Sequence, residues 1–314
     1  MGNPQLLSIH VHPVKAFRGL APREAVVEPW GLTGDRRWAL IDDGGKVVTQ
    51  RQQPRLALAA AELLPGGGLR LSAPGLEPLT VDVPRPTGTT TVEIFRDKVE
   101  GVLADDAAHA WCSAYLGADV RLVHMDDPAT CRVVDPDYAL PGETVSFADG
   151  YPLLLTTTAS LDSLNSLIAR GDHAGEGPLP MNRFRPNVVV SGTEAWAEDG
   201  WSRVSIGEVV FRVAKVCGRC VVTTTDQGTA ERGKEPLRTL GRHRLIDGKL
   251  VFGQNLVPLD RGTIRVGDPV TVLAQAGAAR GRGATGSSGG RNLRRKGTCG
   301  GREPLTGARP LDSS

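Results

Sequence analysis

The sequence predicts a mainly β protein with a few helices, of the α+β class, built as two units of short strands. Its 314 residues include 39 glycines and 22 prolines but only 4% aromatic residues, so turns are frequent. Between the turns lie short apolar runs that alternate with polar residues, as half-buried strands do. Hydrophobic residues make up 40% and charged residues 23%, which is the balance of a soluble globular protein.

The first unit consists of short strands followed by one helix. Four alternating or paired apolar runs predict the strands and hairpins: residues 7–14, 37–50, 56–73 and 89–104. Strands this short and evenly spaced close into a barrel or a sandwich. Residues 107–116 are good helix formers, with Asp105 or Asp106 available as the cap and Gly117 as the stop.

A second unit begins near Asp135. A buried strand is predicted at LLLTT, and a helix from about Ser160 to Ala169 places its leucines on one face. Five more strand-like runs follow: NVVVSG, RVSIGEVVFRVAKV, VVTTT, LVFGQNLVPL and TIRVGDPVTVLA. We therefore predict three regions: a first domain over residues 1–125, a second over 126–275, and a disordered basic tail rich in Gly, Arg and Ser over 276–314.

Charge and cysteine usage narrow the class of protein. Residues 280–314 carry eight basic and two acidic residues, so the rest of the chain has a net charge of −4 and binding to nucleic acid is not expected. Five cysteines with one close pair do not form a secreted disulfide framework. Because neither a signal peptide nor an apolar run of membrane-spanning length is visible, we expect a cytoplasmic protein without a membrane partner.

The stretch KVCGRCVVTTTD places Cys217 and Cys220 in a C-x-x-C spacing. A structural zinc site needs four ligands, and neither a second such pair nor an H-x₃₋₅-H motif is present. A thioredoxin-type dithiol needs a helix N-terminus, whereas strand-like residues flank this pair on both sides. The charges of Lys215 and Arg219 favour a thiolate, which suits a soft metal or sulfur transfer. A pair of cysteines without any role stays open on the residues alone.

Several basic residues lie in turns beside glycine, proline or aromatic residues, where an arginine fork often binds phosphate. They are Lys15, Arg36, Arg37, Arg183 and Arg185. A single loop arginine is usually a surface residue, but together with the thiols these residues suggest a phosphorylated cofactor held beside Cys220. The sequence contains neither G-x-x-x-x-G-K-[ST] nor G-x-G-x-x-G, so neither a nucleoside triphosphate nor NAD is indicated.

Over residues 5–274 the sequence resembles the MOSC family, in which a β-barrel N-terminal domain precedes the MOSC domain. The matching motifs, in order, are HPVKAFRG, GDRRWALID, VTQRQQPRL, FRPNVVVSGTEAWAEDGW, VCGRCVVTTTD, KEPLRTL and FGQNLVPLDRGTIRVGDPV. The family includes the mitochondrial amidoxime-reducing component and bacterial proteins that reduce hydroxylated bases. The resemblance thus implies two β-barrel-like domains, an N-terminal MOSC-type barrel and a MOSC barrel.

The resemblance also implies a molybdenum cofactor, in which the dithiolene of a phosphorylated pterin and one protein cysteine hold the metal. The family's metal ligand corresponds to Cys220, with Arg219 beside it. The residues that grip the pterin correspond to Lys15, Arg36 and Arg185. Arg183, two residues earlier, is a further candidate for cofactor binding.

The implied function is a molybdenum-dependent oxidoreductase that reduces small N-hydroxylated substrates. A separate reductase would supply the electrons, because a tail with only Cys299 cannot hold an iron–sulfur cluster. Asp199 is a candidate for relaying a proton. Ala16 departs from the serine of the amidoxime reducers, and Cys217 is not the family's ligand.

Two alternatives stay open. MOSC domains also occur fused to pyridoxal-phosphate cysteine desulfurases, which favours a sulfur carrier or cofactor-handling protein with a cysteine persulfide. No domain with a Schiff-base lysine is recognisable here. A non-catalytic interaction through the basic tail is the other alternative.

Overall fold

The computed structural model describes residues 2–86 and 88–276. Of the tail predicted over residues 276–314, only Ala276 is among the described residues. The prediction of a mainly β chain with a few helices is confirmed, because the described residues contain 19 strands and four α-helices. No helix within them combines the length and apolar character that crossing a bilayer requires.

The strands and helices have the following bounds. The strands are β1 (Gln5–Ile9), β2 (Glu24–Glu28), β3 (Gly31–Leu32), β4 (Trp38–Ile41), β5 (Val47–Val48), β6 (Ala60–Leu63), β7 (Leu69–Ala73), β8 (Leu76–Val81), β9 (Thr89–Ile94), β10 (Asp97–Leu103), β11 (Arg121–His124), β12 (Leu153–Thr157), β13 (Val188–Ser191), β14 (Trp201–Ile206), β15 (Val209–Gly218), β16 (Leu245–Ile246), β17 (Lys249–Pro258), β18 (Gly262–Arg265) and β19 (Val270–Gln275). The helices are α1 (Asp106–Leu116), α2 (Pro128–Cys131), α3 (Thr158–Ile168) and α4 (Leu237–His243).

The strands form four sheets. The largest has eight strands in the order β1-β13-β12-β17-β15-β14-β19, with β16 paired to β17. A five-stranded sheet has the order β5-β4-β11-β10-β9, and two three-stranded sheets have the orders β18-β2-β3 and β6-β7-β8. The pairs are antiparallel apart from β12 with β13, which fits a chain built mainly of hairpins and short connections.

The first strands pair with distant parts of the chain. Strand β1 lies beside β13, with Ile9 opposite Val188, and β2 lies beside β18. The segment that carries Lys15 therefore runs next to the segment before β13 that carries Arg185. This pairing joins the beginning of the chain to sheets formed by its second half. The domain boundary placed at residue 125 therefore stays a prediction.

Local capping determines where two helices begin. Helix α1 matches the prediction, since the Asp105 side chain accepts a hydrogen bond from the Ala108 amide and Gly117 ends the helix with a φ of 64°. Helix α3 begins at Thr158, two residues before the expected start, because the Thr157 side chain accepts from the Ser160 amide. The short helix α4 was not predicted.

The strand expected at VVTTT is wrong, because Val221–Thr224 forms a 3₁₀ helix. The hydroxyls of Thr223 and Thr224 donate to the carbonyls of Cys220 and Val221, at 2.9 and 2.8 Å, and these local bonds favour a turn over a strand. Cys220 thus lies between the end of β15 and a 3₁₀ helix.

Apolar side chains fill two main cores. Phe17, Trp38 and Leu122 belong to a core under α1, whereas Ile9 and Phe211 belong to a core under the eight-stranded sheet. Removing a large aromatic or aliphatic side chain of this kind from water contributes about 2 kcal/mol. The turns that carry Lys15, Arg36 and Cys220 are thereby attached to well-packed strands.

Candidate active site

A cavity of about 620 Å³ opens beside Cys220. Its walls come from turns that are far apart in sequence: residues 15–16, 36, 49–51, 148–151, 184–187 and 215–220 each contribute. Pairing of β1 with β13 brings the segment at residues 15–16 close to the segment at residues 184–187, so the cavity depends on long-range contacts. Lys15, Arg36, Arg185, Arg219 and Cys220, all predicted as site residues, line it.

The cavity is strongly positive. Seven basic and two acidic side chains line it: Lys15, Arg36, Arg51, Arg185, Lys215, Arg219 and Lys249, with Asp135 and Asp149. Cations that share a small volume repel one another unless an anion or water separates them. This excess of positive charge fits an anionic ligand.

Lys15 is a buried ammonium group at the base of this charge cluster, with 5% of its surface exposed. Its Nζ donates a hydrogen bond to the Phe147 carbonyl at 2.7 Å and another to the Asp149 carboxylate. Burial lowers the pKa of Lys15 to about 8, although the charge of Asp149 acts to raise it. Lys15 is therefore charged at neutral pH while having lost most of its hydration.

Arg36 and Arg185 meet at the cavity wall. The Arg36 guanidinium contacts Asp35 at 2.5 Å and Asn187 Oδ1 at 3.0 Å, and its Nη2 donates to the Arg185 carbonyl at 3.3 Å. Both arginines have a left-handed backbone, with φ values of 48° and 53°. Such a conformation costs a non-glycine residue about 1 kcal/mol and is frequent at functional sites.

The Arg185 guanidinium has few partners. Within the described residues, its one side-chain hydrogen bond is a long contact of 3.4 Å from Nη1 to Gln227 Oε1. Burial, followed by repulsion from Arg36, lowers the pKa of Arg185. A partly buried guanidinium with unused donors fits a site that receives a negatively charged group.

Each thiol lies against its own guanidinium. Cys220 Sγ is 3.4 Å from Arg51 Nη2, and Cys217 Sγ is 3.0 Å from Arg219 Nη1. Arg219 also donates from Nη2 to the Phe184 carbonyl at 2.7 Å. Its Nε is buried and has no hydrogen-bond partner among residues 2–86 and 88–276. The neighbour of the Cys220 sulfur is therefore Arg51, which the sequence analysis did not select.

Lys215 also lines the cavity. Its Nζ donates to Asp135 Oδ2 at 3.2 Å and lies 3.9 Å from the centroid of the Tyr138 ring. The Tyr151 hydroxyl donates to the same Asp135 oxygen at 3.0 Å. Lys215 is thus held by a carboxylate and an aromatic ring, not by the thiols that it was expected to influence.

Arg183 and Asp199 are not among the residues that line the cavity. Arg183 donates to the Thr224 carbonyl at 2.9 Å and to Asp226 at 3.0 Å. Asp199 accepts hydrogen bonds from Arg244 at 2.5 Å and from Gln254 at 2.9 Å. These contacts attach both side chains to the fold, and the roles assigned to them from the sequence stay predictions.

Sequence reasoning missed several residues of the cavity. Arg51 lies in a turn near a proline in VTQRQQP, much as Arg36 lies in a turn near a glycine. Its place in the site could therefore have been predicted from the sequence. Gln50 was not, because its role depends on Gln227, with which it exchanges hydrogen bonds of 3.1 and 3.0 Å across 177 residues. Asp149 is recognisable only from its contact with Lys15.

Comparison with known proteins agrees with this architecture. Residues 3–119 match the family described as MOSC N-terminal beta barrel domain, and residues 142–271 match the MOSC domain. Mitochondrial amidoxime-reducing component 1 from Homo sapiens is 35% identical over 284 residues, covering 84% of this chain and 82% of that protein. The chain belongs to the MOSC family. The resemblance inferred from the motifs is confirmed, as is the class of two β-barrel-like units.

A second amidoxime-reducing protein has nearly the same coverage. Mitochondrial amidoxime reducing component 2 from Rattus norvegicus is 32% identical over 283 residues, covering 83% of this chain and 81% of that protein. A crystal structure of the YUAD protein from Bacillus subtilis covers 86% of this chain and 97% of its own, with 9% identity and a TM-score of 0.38.

Proposed function

We propose that this MOSC protein is a molybdenum-cofactor-dependent oxidoreductase that reduces small N-hydroxylated molecules with electrons from a separate reductase. The observation that carries the proposal is the Cys220 sulfur inside a cavity with seven basic and two acidic side chains. The relatives named amidoxime-reducing components support the class of reaction.

The residues present fit a molybdenum cofactor. A cysteine sulfur is a soft donor of the kind that such a metal takes, and the cofactor's pterin carries a phosphate. Within the described residues, no group of three or more His, Cys, Asp and Glu side chains is arranged to hold a metal ion, so a metal beside Cys220 would take its other ligands from a cofactor. The weakly bonded guanidinium of Arg185 offers donors to an anion.

In this proposal Cys220 holds the metal, while Lys15, Arg36, Arg185 and Arg219 hold the anionic pterin part. Two-electron removal of an oxygen atom from an N–OH group is the chemistry that this cofactor supplies when bound. The overall reaction consumes two electrons and two protons, replaces N–OH by N–H, and releases one water.

The chain's own residues prepare the site for this ligand. Asp149 and the Phe147 carbonyl fix the Lys15 ammonium, and Asn187 and Asp35 fix the Arg36 guanidinium. Because these groups are already positioned in the fold, an anion binds without the entropic cost of ordering them.

Replacement of each thiol tests the proposal. The full chain, produced in a host that makes the cofactor, would be prepared as wild type, Cys220→Ala and Cys217→Ala. Molybdenum per chain would be measured by elemental analysis, and reduction of an aromatic amidoxime would be measured with a reduced viologen dye as electron donor. We expect Cys220→Ala to lose at least about 100-fold of the activity, and Cys217→Ala to stay within a few-fold of wild type.

Two results would contradict the proposal. Wild-type protein that lacks metal but carries reducible sulfur on Cys220 would favour a sulfur carrier. Equal molybdenum content and activity in wild type and Cys220→Ala would remove Cys220 from the metal site.

A further inference from the structure

The turn between β9 and β10 contains an unusual residue. Ile94 lies opposite Asp97 in the strand pair, so Phe95 and Arg96 form a two-residue loop. Phe95 has a φ of 55°, in the left-handed region that hairpin loops usually fill with Gly, Asn or Asp. A bulky aromatic residue at such a position is strained, and strain of this kind clusters at functional sites.

Phe95 does not itself line the cavity, but its ring lies against two cations that do. Its centroid is 5.2 Å from Arg51 Cζ and 5.9 Å from Lys15 Nζ, two of the cations that line the cavity. Arg51 in turn contacts the Cys220 sulfur at 3.4 Å. One arginine therefore connects the ring to the atom proposed to hold the metal, and 53% of the Phe95 surface is exposed.

The turn is fixed in place by a buried arginine. Asp97 accepts a hydrogen bond from Arg132 Nε at 2.9 Å, and Arg132, which is 4% exposed, also donates to the carbonyls of Ser146 and Asp149 at 3.1 Å each. The same segment supplies Asp149 to Lys15. The ring is thus attached to the framework that positions the cavity cations, and its open surface is a preorganised platform.

We propose that Phe95 is a specificity-determining residue on which the planar, conjugated part of the substrate stacks. The inference rests on the proposed function and specifies its substrate class as planar amidoximes or hydroxylated bases with a conjugated ring. Stacking on an aromatic side chain favours a flat π-system over a saturated ring of similar size. The alternative is that the ring only screens Arg51 and Lys15 from solvent.

A matched pair of probes separates these two roles. Benzamidoxime and cyclohexanecarboxamidoxime differ in that only the first has a flat conjugated ring. Equilibrium dissociation constants of both would be measured calorimetrically on the loaded full chain without an electron donor, so that neither is consumed. We expect wild type to bind the aromatic compound about 3- to 10-fold more tightly than the saturated one.

Three substitutions locate this preference. Phe95→Leu and Phe95→Asn should bring the ratio of the two dissociation constants close to one, and Phe95→Tyr should restore it. Phe95→Asn should also raise the thermal unfolding midpoint, since Asn tolerates a positive φ. A ring that serves only as packing would instead make this variant less stable.

The outcomes are distinguishable from failure of the proposed function. Wild type that prefers the aromatic probe but reduces neither compound keeps the inference and loses the function. Wild type that reduces both and shows no preference, or a Phe95→Leu variant that keeps the preference, overturns the inference while the function stands.

Discussion

Arg185, which lines the cavity beside Cys220, differs from Arg183 and Arg244, which do not line it, in how firmly its guanidinium is bonded. Inside, the one side-chain hydrogen bond that Arg185 makes among the described residues is a long contact of 3.4 Å to Gln227. Outside, Arg183 is bonded to Asp226 and the Thr224 carbonyl, and Arg244 is bonded to Asp199 with its guanidinium 4.2 Å from the Trp196 ring.

This difference distinguishes two uses of a buried charge. A guanidinium bonded to a carboxylate and a carbonyl stabilises the fold, because removing it leaves those acceptors without partners. A guanidinium that lines the cavity and makes one long hydrogen bond, as Arg185 does among the described residues, makes its main contribution when a ligand binds. Arg183 and Arg185 are the sharpest comparison, since they are separated by a single residue.

Replacing each of these two arginines by glutamine gives the largest expected effect. Arg185→Gln should weaken binding of sulfate, a stand-in for the phosphate group, by about 10- to 100-fold, with little loss of stability. Arg183→Gln should lower the free energy of unfolding by about 2 kcal/mol and leave sulfate binding nearly unchanged. Calorimetric titration of the metal-free chain and urea unfolding measure the two quantities.

The comparison fails if the two variants behave alike. Loss of anion binding in Arg183→Gln without loss of stability would place this residue among the cofactor ligands, as the sequence suggested. Unchanged molybdenum content in Arg185→Gln, produced in a cofactor-competent host, would remove Arg185 from that role.

The sequence predicted the local features of the site and missed the long-range ones. Lys15, Arg36 and Arg185 were recognisable because each lies in a turn beside glycine, proline or an aromatic residue. Arg183 met the same criterion, and only its partner Asp226, 43 residues away, separates it from Arg185. Tertiary pairing of this kind leaves no local signal in the chain.

The same division applies to the fold. Helix α1 was predicted almost to the residue because its cap and its stop are neighbours in sequence. The pairing of β1 with β13 depends on partners about 180 residues apart, such as Leu6 and Val190, and no pattern in either strand specifies the other. The 3₁₀ helix after Cys220 was missed because β-branched residues favour strands unless threonine hydroxyls bond to nearby carbonyls.

The effect of pH on sulfate binding, which is expected to be of intermediate size, provides the second test. Because the pKa of Lys15 is about 8, below the usual 10.5, its ammonium is present below pH 8 and lost above it. Sulfate keeps its charge over this range, so its binding to the metal-free chain should weaken about 5- to 10-fold between pH 7 and pH 9.5. Lys15→Arg, which stays protonated, should flatten this dependence.

The free energy of unfolding of the metal-free chain should rise with pH over the range in which sulfate binding weakens. Between pH 8 and 10.5 the unfolded chain binds the Lys15 proton more tightly than the folded chain does, so this group makes the free energy of unfolding rise with pH. Comparison with Lys15→Met isolates the contribution. A wild type whose sulfate affinity and relative stability are both constant from pH 7 to 9.5 would contradict the assignment.

The smallest effect is expected at Asp199. Both of its oxygens are in use, one by Arg244 and one by Gln254, and it does not line the cavity. Asp199→Asn should therefore lower the free energy of unfolding by about 1 kcal/mol, because the ion pair with Arg244 is only partly buried. The turnover number per molybdenum, and its pH profile, should stay within about twofold of wild type, since a proton relay contributes 100-fold or more.

The pH profile decides between the two roles of Asp199. A structural ion pair affects stability and leaves the shape of the profile unchanged. A more than tenfold loss of turnover at unchanged molybdenum content, with one limb of the profile displaced, would show that Asp199 passes a proton to the site. Pairing with a carboxylate outside the cavity would then not be enough to assign a charge to the stability of the fold alone.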